Sequence, residues 1–283
     1  NMMQRRLLTC EDKGQAQLLW HIAFPEDSER FVRWFFDKRF LPGWSAGTFC
    51  GDTLISVIHG TPMMLRGQAK SFPALMTSGV ATLPGYEGRG IMHDTMLFLR
   101  EKAAKQGIDA LFNHPQRKGA YAHLGFRPCT DTLYYKGDGG ELLPRGYTWA
   151  SFDLEAAFTL YKQVMSIYRG SRVRTKSDFV LLLEDIACDG GIARLLLKNG
   201  SPEGYCLFGI NETGLYAQEV LCLDKEVYAP LLRALPGKHI TAKLPPDIPL
   251  PGERLPQNVL LASERLWAAL AYIPGQCYCL EEY

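Results

Sequence analysis

Hydrophobic residues in the first half of the chain follow two periods, one typical of helices and one typical of strands. Apolar positions three and four residues apart predict amphipathic helices, whereas short runs rich in β-branched residues predict strands. In chain order, these patterns predict a strand at 5–8, helices at 12–24 and 29–40, strands at 44–50, 53–64 and 72–83, a helix at 91–105, and short strands at 110–112 and 133–135. Ser28 is the expected N-cap of the second helix, and Gly107 is expected to end the third.

The second half begins after a glycine-rich stretch at 136–146, which is the predicted linker. The pattern after it predicts a helix at 153–168, strands at 192–197, 204–210 and 214–223, and a helix at 225–235. A basic run at 169–176 lacks the interleaved aromatic residues of a nucleic-acid site, so we interpret it as a solvated linker or an interdomain contact. A chain of 283 residues is long enough for two domains, which we predict at 1–140 and 147–283.

Composition and charge narrow the class of protein. The 31 lysines and arginines are matched by 30 aspartates and glutamates, so the whole molecule has no electrostatic attraction to nucleic acid or to an anionic membrane. Apolar residues make up 47% of the chain, which indicates a folded globular protein rather than a disordered one. No apolar run approaches the roughly 18 residues that a membrane span needs. We therefore expect neither nucleic acid nor membrane as a partner.

The reactive side chains give no sign of a metal centre or a disulfide framework. The eight cysteines are scattered without a Cys-x-x-Cys pair, and we expect them to be reduced in a cytoplasmic protein. The N-terminal residues contain no apolar stretch long enough for a signal peptide. The six histidines form no metal-binding pattern, so no metal is expected. No Gly-x-Ser-x-Gly elbow occurs, which argues against a serine hydrolase.

A glycine-rich loop between a predicted strand and a predicted helix is the most informative segment. Residues 79–92 read Gly-Val-Ala-Thr-Leu-Pro-Gly-Tyr-Glu-Gly-Arg-Gly-Ile-Met. Glycines let the backbone approach a ligand closely, and free N–H groups at a helix N-terminus favour an anion such as a pyrophosphate. The loop is neither a Walker loop nor Gly-x-Gly-x-x-Gly. Taken alone, it is also compatible with an ordinary strand–helix connection.

A second motif lies downstream, Tyr121-Ala122-His123-Leu124-Gly125-Phe126. Together with the loop, it makes residues 74–127 resemble the Gcn5-related N-acetyltransferase (GNAT) superfamily, whose pattern is Arg/Gln-x-x-Gly-x-Gly/Ala followed by Tyr-x-x-x-Gly-Phe. Glu87 and Met92 depart from that pattern, whereas Gly90 is kept. The large residue at 92 and the Gly-Val-x-Thr entry at 79–82 are similar to the enhanced-intracellular-survival (Eis-like) branch. We expect this chain to lack the sterol-carrier-like C-terminal domain of that branch.

The resemblance implies an α/β (α+β) GNAT fold, with a mixed, mostly antiparallel sheet flanked by helices, and acetyl-CoA as co-substrate. Backbone groups of the strand would hold the pantetheine and stabilise the developing oxyanion, and the loop would bind the pyrophosphate. The implied cofactor-binding residues are Val80, Ala81, Thr82, Gly88, Arg89, Gly90, Ile91, Met92, His93, Asn113, Gln116 and Arg117. Glu87 puts an unfavourable negative charge near phosphate unless it points away. Tyr121 matches the family's general acid; the alternative is a core tyrosine packed beside Phe126.

The acceptor side is less defined, and the general base is not identified. Glu26 and Asp27 lie between the first two predicted helices, where this fold receives the acceptor, and would bind a cationic substrate; the alternative is a solvated helix start. Trp34 is a candidate acceptor residue within a cluster of aromatic residues, although at least half of that cluster is expected to be core packing. In the Eis-like enzymes the terminal carboxylate enters the active site, which makes Tyr283 a speculative counterpart.

The order of elements after residue 147 resembles a second GNAT-like domain without a glycine loop. We expect this degenerate copy to be catalytically silent and to complete the acceptor pocket or an oligomer interface. The leading hypothesis is an acetyl-CoA-dependent N-acetyltransferase that moves the acetyl group to a primary amine of a small molecule or protein, by direct transfer in a ternary complex. The alternatives are a non-catalytic acyl-CoA-binding module and a tRNA-dependent aminoacyl transferase with two GNAT-like domains.

Overall fold

Two seven-stranded sheets with helices packed against them make up residues 2–282, the part of the chain that this computed structural model describes. The helices are α1 (Lys13–Ala23), α2 (Glu29–Lys38), α3 (Ile91–Lys105), α4 (Leu154–Met165), α5 (Lys176–Cys188), α6 (Tyr228–Arg233) and α7 (Glu264–Leu270). The strands are β1 (Met3–Leu7), β2 (Ala46–Cys50), β3 (Thr53–Leu65), β4 (Phe72–Thr82), β5 (Ala110–Asn113), β6 (Arg127–Pro128), β7 (Asp131–Gly137), β8 (Tyr147–Ser151), β9 (Ile192–Lys198), β10 (Ser201–Asn211), β11 (Gly214–Cys222), β12 (Ile240–Leu244), β13 (Glu253–Pro256) and β14 (Val259–Ala262).

Two helices of the first half, α2 and α3, are bounded by residues that favour a helix terminus. Ser28 caps α2 by accepting a hydrogen bond from the Phe31 N–H at 3.1 Å, as predicted. Helix α3 has the predicted bounds, since Gly90 precedes it and Gly107 follows it, both with positive φ. Only glycine adopts such angles readily, so the two residues confine the helix to the segment between them.

The first sheet contains the strand pair that opens the functional site. Its order is β1-β2-β3-β4-β5-β14-β6, and each neighbouring pair is antiparallel except β4 and β5, which are parallel. The parallel register runs from Leu75 opposite Leu111 to Thr77 opposite Asn113. Strand β4 continues to Thr82 after β5 has ended, so the two strands separate at their carboxyl ends.

The second sheet repeats the pairing pattern of the first. Read from β8, its order is β8-β9-β10-β11-β12-β7-β13, with one parallel pair, β11 and β12, at the corresponding place. The connection from β11 to α6 carries no glycine loop. Instead, the Asp224 carboxylate accepts a hydrogen bond from the Glu226 N–H at 3.0 Å and places negative charge at that helical turn. The fold is thus the mixed, mostly antiparallel arrangement expected, with two sheets that share one pairing pattern.

The two sheets exchange strands between the halves of the chain. Strand β7 lies within residues 1–140 but pairs with β12 in the second sheet, while β14 comes from the second half and pairs with β5 in the first. Each sheet is therefore completed by a strand from the other half. Neither of the ranges 1–140 and 147–283 builds a whole sheet alone. Their division into two domains stays a prediction.

The basic run at 169–176 is only partly solvated, since its last residue, Lys176, is exposed. Arg172 and Arg174 are buried, and they pair with Glu281, Glu219 and Asp178. The backbone of the same run contacts the first half, since the Arg66 N–H donates to the Ser171 carbonyl at 2.8 Å. Of the two interpretations of this run, the interdomain contact is correct and the solvated linker is wrong, because carboxylates from distant segments neutralise its charges.

Two properties of the described residues bear on the protein's class. None of the helices within residues 2–282 combines the length and the apolar composition that a bilayer crossing needs. All eight cysteines are free thiols; five of them are buried. Burial raises the pKa of thiols such as Cys206, to about 12, which makes them poor nucleophiles at neutral pH.

Candidate active site

A bulge in β4 lies where β4 and β5 separate. Gly79 and Val80 together oppose the single residue Ile58, because the register shifts between Val57–Ala81 and His59–Ser78. Gly79 has φ +54°, and a Cβ at this position would lie 2.3 Å from Cζ3 of Trp20. Only glycine fits here. The bulge takes the backbone out of the regular ladder beside an open space.

Three adjoining cavities follow the gap between the strands, and we name them by their walls. The loop cavity, of about 540 Å³, is lined by Val80, Ala81, Thr82, Tyr86, Glu87, Gly88, Gly90, Ile91, Met92, His93, Arg117, Ala120, Tyr121 and His123. The central cavity, of about 490 Å³, is lined by Phe24, Ser78, Gly79, Val80, Asn113, His114, Gln116, Arg117, Ala120, Tyr121 and Glu282. The aromatic cavity, of about 190 Å³, is lined by Trp20, Phe24, Asp27, Phe31, Phe35, Ser78, Gly79, Gln116 and Glu282. Shared lining residues join each cavity to the next.

The loop cavity has the features of an anion site. Gly90 is the N-cap of α3, with φ +74° and no side-chain hydrogen bond to the first turn, so the first N–H groups of the helix remain available. A Cβ on Gly88 or Gly90 would meet nothing within 4 Å, so neither position has side-chain neighbours to fill the loop. Arg117 lines both the loop cavity and the central cavity and adds positive charge between them.

Two charged loop residues differ in their placement. The Arg89 guanidinium lies over the ring of Tyr86, 5.4 Å from its centroid, and Arg89 is absent from the lining of the loop cavity. Glu87 is exposed and lines that cavity, so it does not turn away from the anion site. Apart from Arg89, the structure brings all the predicted cofactor-binding residues to the loop cavity or the central cavity.

Tyr121 lies where the loop cavity meets the central cavity. Its ring packs on Phe126, with centroids 5.7 Å apart, and it also faces both open spaces. Burial raises the pKa of the Tyr121 phenol, and Arg117 opposes the rise only in part. The phenol is therefore protonated at neutral pH and can donate a proton or a hydrogen bond into the gap.

Asn113 lines the central cavity and carries a buried polar atom without a partner. It is 3% exposed, and its Nδ2 donates to Thr77 Oγ1 at 2.8 Å and to the Thr77 carbonyl at 3.1 Å. Its Oδ1 has no hydrogen-bond partner. A buried acceptor without a partner costs free energy, so this atom is suited to an N–H donor on a bound ligand.

The acceptor residues predicted from the sequence separate into two groups. Asp27 lines the aromatic cavity, and its Oδ2 accepts a hydrogen bond from Trp20 Nε1 at 2.8 Å. Glu26 is exposed and lies outside the lining of the three cavities. The Trp34 indole donates instead to Glu184 Oε2 at 2.9 Å and joins α2 to α5. Phe31 and Phe35 line the cavity in its place.

Glu282 was missed by the sequence analysis. It lines the central cavity and the aromatic cavity, and its Oε1 accepts hydrogen bonds from Lys243 Nζ and, at 3.3 Å, from the Tyr216 hydroxyl. These partners belong to β12 and β11 of the second sheet, so the second half supplies a carboxylate to the cavities. No local signal marks this residue in the sequence. The speculative candidate Tyr283 lies outside the described residues.

His114 also faces the central cavity beside this pair. Its Nδ1 has no hydrogen-bond partner. Burial, with a smaller contribution from Lys243, lowers the pKa of His114 to about 4, so its imidazole is neutral at physiological pH. Within residues 2–282, no three His, Cys, Asp or Glu side chains are grouped closely enough to hold a metal ion.

Comparison with known proteins gives a family match for the first half and a fold match for almost the whole chain. Residues 4–129 match the model of the acetyltransferase (GNAT) domain. A search of curated protein sequences finds no match. Among solved structures, a probable N-acyltransferase from Enterococcus faecalis is similar, with 17% identity over 93% of this chain and 72% of that one and a TM-score of 0.74.

Two further structures share the fold. Eis1 from Mycobacterium abscessus has 16% identity, covering 92% of this chain and 73% of that one, with a TM-score of 0.70. The N-myristoyltransferase of Saccharomyces cerevisiae, solved with bound myristoyl-CoA, has 12% identity over 92% of this chain and 82% of that one, with a TM-score of 0.63. At these identities the likeness establishes the fold, and the activity has to be argued from the site.

Proposed function

We propose that the protein moves an acetyl group from acetyl-CoA to a primary amine by direct transfer in a ternary complex, on the premise that residues 4–129 match the model of the GNAT acetyltransferase domain. The observation that carries the proposal is the row of three adjoining cavities through the gap between β4 and β5. An anion site lies at one end, a carboxylate-bearing aromatic cavity lies at the other, and Tyr121 stands between them. Two substrates can therefore meet without a covalent carrier on the protein.

The residues present fit acetyl-CoA at the loop and central cavities. The uncapped N-terminus of α3, with Arg117 beside it, suits a pyrophosphate, and the unpaired Oδ1 of Asn113 suits an amide N–H of the pantetheine arm. Acetyl-CoA supplies the acyl donor as a thioester. The β4 bulge at Gly79 and Val80 would direct a backbone N–H at the thioester oxygen, where negative charge develops during transfer.

Proton transfers balance the reaction. A bond forms between the amine nitrogen and the acetyl carbon, the carbon–sulfur bond breaks, and its electron pair leaves with sulfur. Tyr121, protonated at neutral pH because burial raises its pKa, would give the sulfur a proton. The neutral amine nitrogen loses one proton as the amide bond forms, and Glu282, the carboxylate that lines the central cavity on the acceptor side, would accept that proton. The second half would thus be silent in cofactor binding while completing the acceptor pocket.

Calorimetric titration with acetyl-CoA tests the proposal. The wild-type chain should bind, and a Gly90→Glu variant should bind at least about tenfold more weakly, because its carboxylate would face the pyrophosphate. Gly107→Glu is the matched control, since Gly107 also has positive φ and open surroundings but lies at the other end of α3. Equal binding by the Gly90→Glu variant and the control would contradict the assigned site. Binding without transfer to any amine would favour an acyl-CoA-binding module instead.

A further inference from the structure

The aromatic cavity has an apolar middle and a polar group at each end. Four aromatic rings form its walls, and Trp20 is the central one, with ring centroids 5.4 Å from Phe24, 6.2 Å from Phe31 and 4.5 Å from Phe35. Its volume of about 190 Å³ is below the roughly 300–1,000 Å³ of sites for drug-sized ligands. A small, slender ligand fits such a space, and a branched oligosaccharide does not.

Trp20 separates the two ends of the cavity. Its benzo edge faces Gly79, as the 2.3 Å approach of a Cβ built on that glycine shows. Its Nε1, at the opposite end of the indole, donates to Asp27. Asp27 therefore lies one indole length away from the β4 bulge, at the far end of the cavity from the gap between the strands.

The second carboxylate belongs to the near end. Glu282 lines both the central and the aromatic cavity, as Gly79 does, whereas Asp27 lines only the aromatic cavity. The Asp27 carboxyl is half-buried, and burial raises its pKa; Glu26 and Asp189 raise it further, while the Trp20 hydrogen bond opposes them. A cation at this end would compensate the three neighbouring acidic groups, and the ring faces would add cation–π attraction.

We propose that the acceptor is a short aliphatic diamine, bound with one ammonium at Asp27 and its methylene chain along the Trp20 and Phe31 rings. The other nitrogen, bound as the neutral amine, then lies towards Glu282 and Gly79, loses one proton to the Glu282 carboxylate and receives the acetyl group of acetyl-CoA. Ring faces suit methylenes, and the Asp27 carboxylate suits the distal ammonium. This assignment rests on the proposed function, because it names the substrate class of the same site.

Amine selectivity tests the assignment. With acetyl-CoA at saturation, kcat/KM for 1,4-diaminobutane should exceed that for n-butylamine by about tenfold or more, since only the diamine reaches Asp27 with a charge. Asp27→Asn should remove most of that advantage, because the amide can still accept the Trp20 hydrogen bond but carries no charge for the distal ammonium. The control variant is Glu29→Gln, whose exposed side chain lies in the next helical turn; it should keep the wild-type selectivity.

Two results would overturn the diamine assignment. One is equal kcat/KM for the two amines in the wild type. The other is an equal loss for both amines in Asp27→Asn. Transfer to some other amine class, with acetyl-CoA bound, would refute this inference and leave the proposed function intact. If no amine is acetylated, calorimetric titration of the CoA-bound protein with 1,4-diaminobutane tests the diamine site directly. An absence of binding heat would refute that site independently of turnover.

Discussion

Arg174 and Glu281 form a buried ion pair, with Nε of the arginine 2.7 Å from Oε1 of the glutamate. The same guanidinium donates to both oxygens of Glu219, at 2.8 and 3.0 Å. Glu281 directly precedes Glu282, so this pair fixes the C-terminal segment where it enters the cavities. The basic run of the second half thereby positions a carboxylate in the site of the first half.

Removing the guanidinium should destabilise the fold strongly. Arg174→Met would leave Glu281 and Glu219 buried without their shared partner, and we expect the free energy of unfolding to fall by about 3–5 kcal/mol. Lys176→Met is the control, because its ion pair with Glu155 is exposed and contributes about 1 kcal/mol or less. Urea unfolding followed by tryptophan fluorescence measures both. Similar losses in the two variants would contradict the buried network.

The burial of His59 predicts that the folded protein loses stability as the pH falls. It is 2% exposed among Trp20, Phe35, Phe36 and Phe40, and neither ring nitrogen has a hydrogen-bond partner. Burial lowers its pKa from 6.5 to about 3. Between these values the unfolded chain binds a proton that the folded chain excludes, so stability falls with falling pH by up to about 1.4 kcal/mol per pH unit.

A substitution isolates that contribution. His59→Leu should keep or raise stability at pH 7, since it removes two unpaired polar atoms. Between pH 6 and pH 4 it should reduce the slope of the unfolding free energy against pH by the contribution of about one bound proton. His21→Leu, at an exposed histidine of α1, should leave the slope unchanged. Denaturant unfolding at a series of pH values measures it. An unaltered slope in His59→Leu would show that this histidine is not the group responsible.

Tyr121→Phe separates catalysis from packing. The phenyl ring keeps the contact with Phe126 but has no proton to donate to sulfur, so kcat should fall by about 100-fold. The acetyl-CoA dissociation constant and the unfolding midpoint should stay near the wild-type values. A variant that binds and folds normally and turns over at the wild-type rate would make Tyr121 a packing residue.

The position of Glu87 predicts that removing its charge raises the affinity for acetyl-CoA. Glu87 lines the loop cavity, where the proposed pyrophosphate would lie, so Glu87→Gln should tighten acetyl-CoA binding by about two- to fivefold at low ionic strength. Added salt should narrow the difference, because the charge is exposed. Glu101→Gln, at an exposed acid of α3 away from the loop cavity, is the control. Weaker binding in Glu87→Gln would mean that Glu87 accepts a hydrogen bond from the ligand.

Local sequence patterns were enough to predict the elements that form the cofactor side of the candidate site. Helix α3 has the predicted bounds because glycines stand before and after it, and its N-terminus carries the loop motif. Helix α5 was not predicted, since we assigned its first residue, Lys176, to the basic run. The short strands β13 and β14 lie within or just after residues 245–256, which contain five prolines, and no periodic pattern marks them.

The acceptor side depends on contacts that no local pattern records. Val259 pairs with Asn113, far apart in the chain, and that pairing closes the first sheet beside the central cavity. Glu282 reaches the same cavity only because Lys243 and Tyr216 hold it. Trp34 and Phe31 are equally aromatic in the sequence, and the packing of α2 against α5 decides which of them faces the cavity.

The most direct test of acetyl transfer is to follow products and protein together by mass spectrometry during incubation with acetyl-CoA and a panel of primary amines. The account predicts that each CoA released is matched by one acetylated amine. It also predicts that the chain keeps its own mass, since transfer is direct and the buried thiols do not react. Acetylation of the protein in the absence of amine, or bound acetyl-CoA that acetylates no amine of the panel, would contradict it.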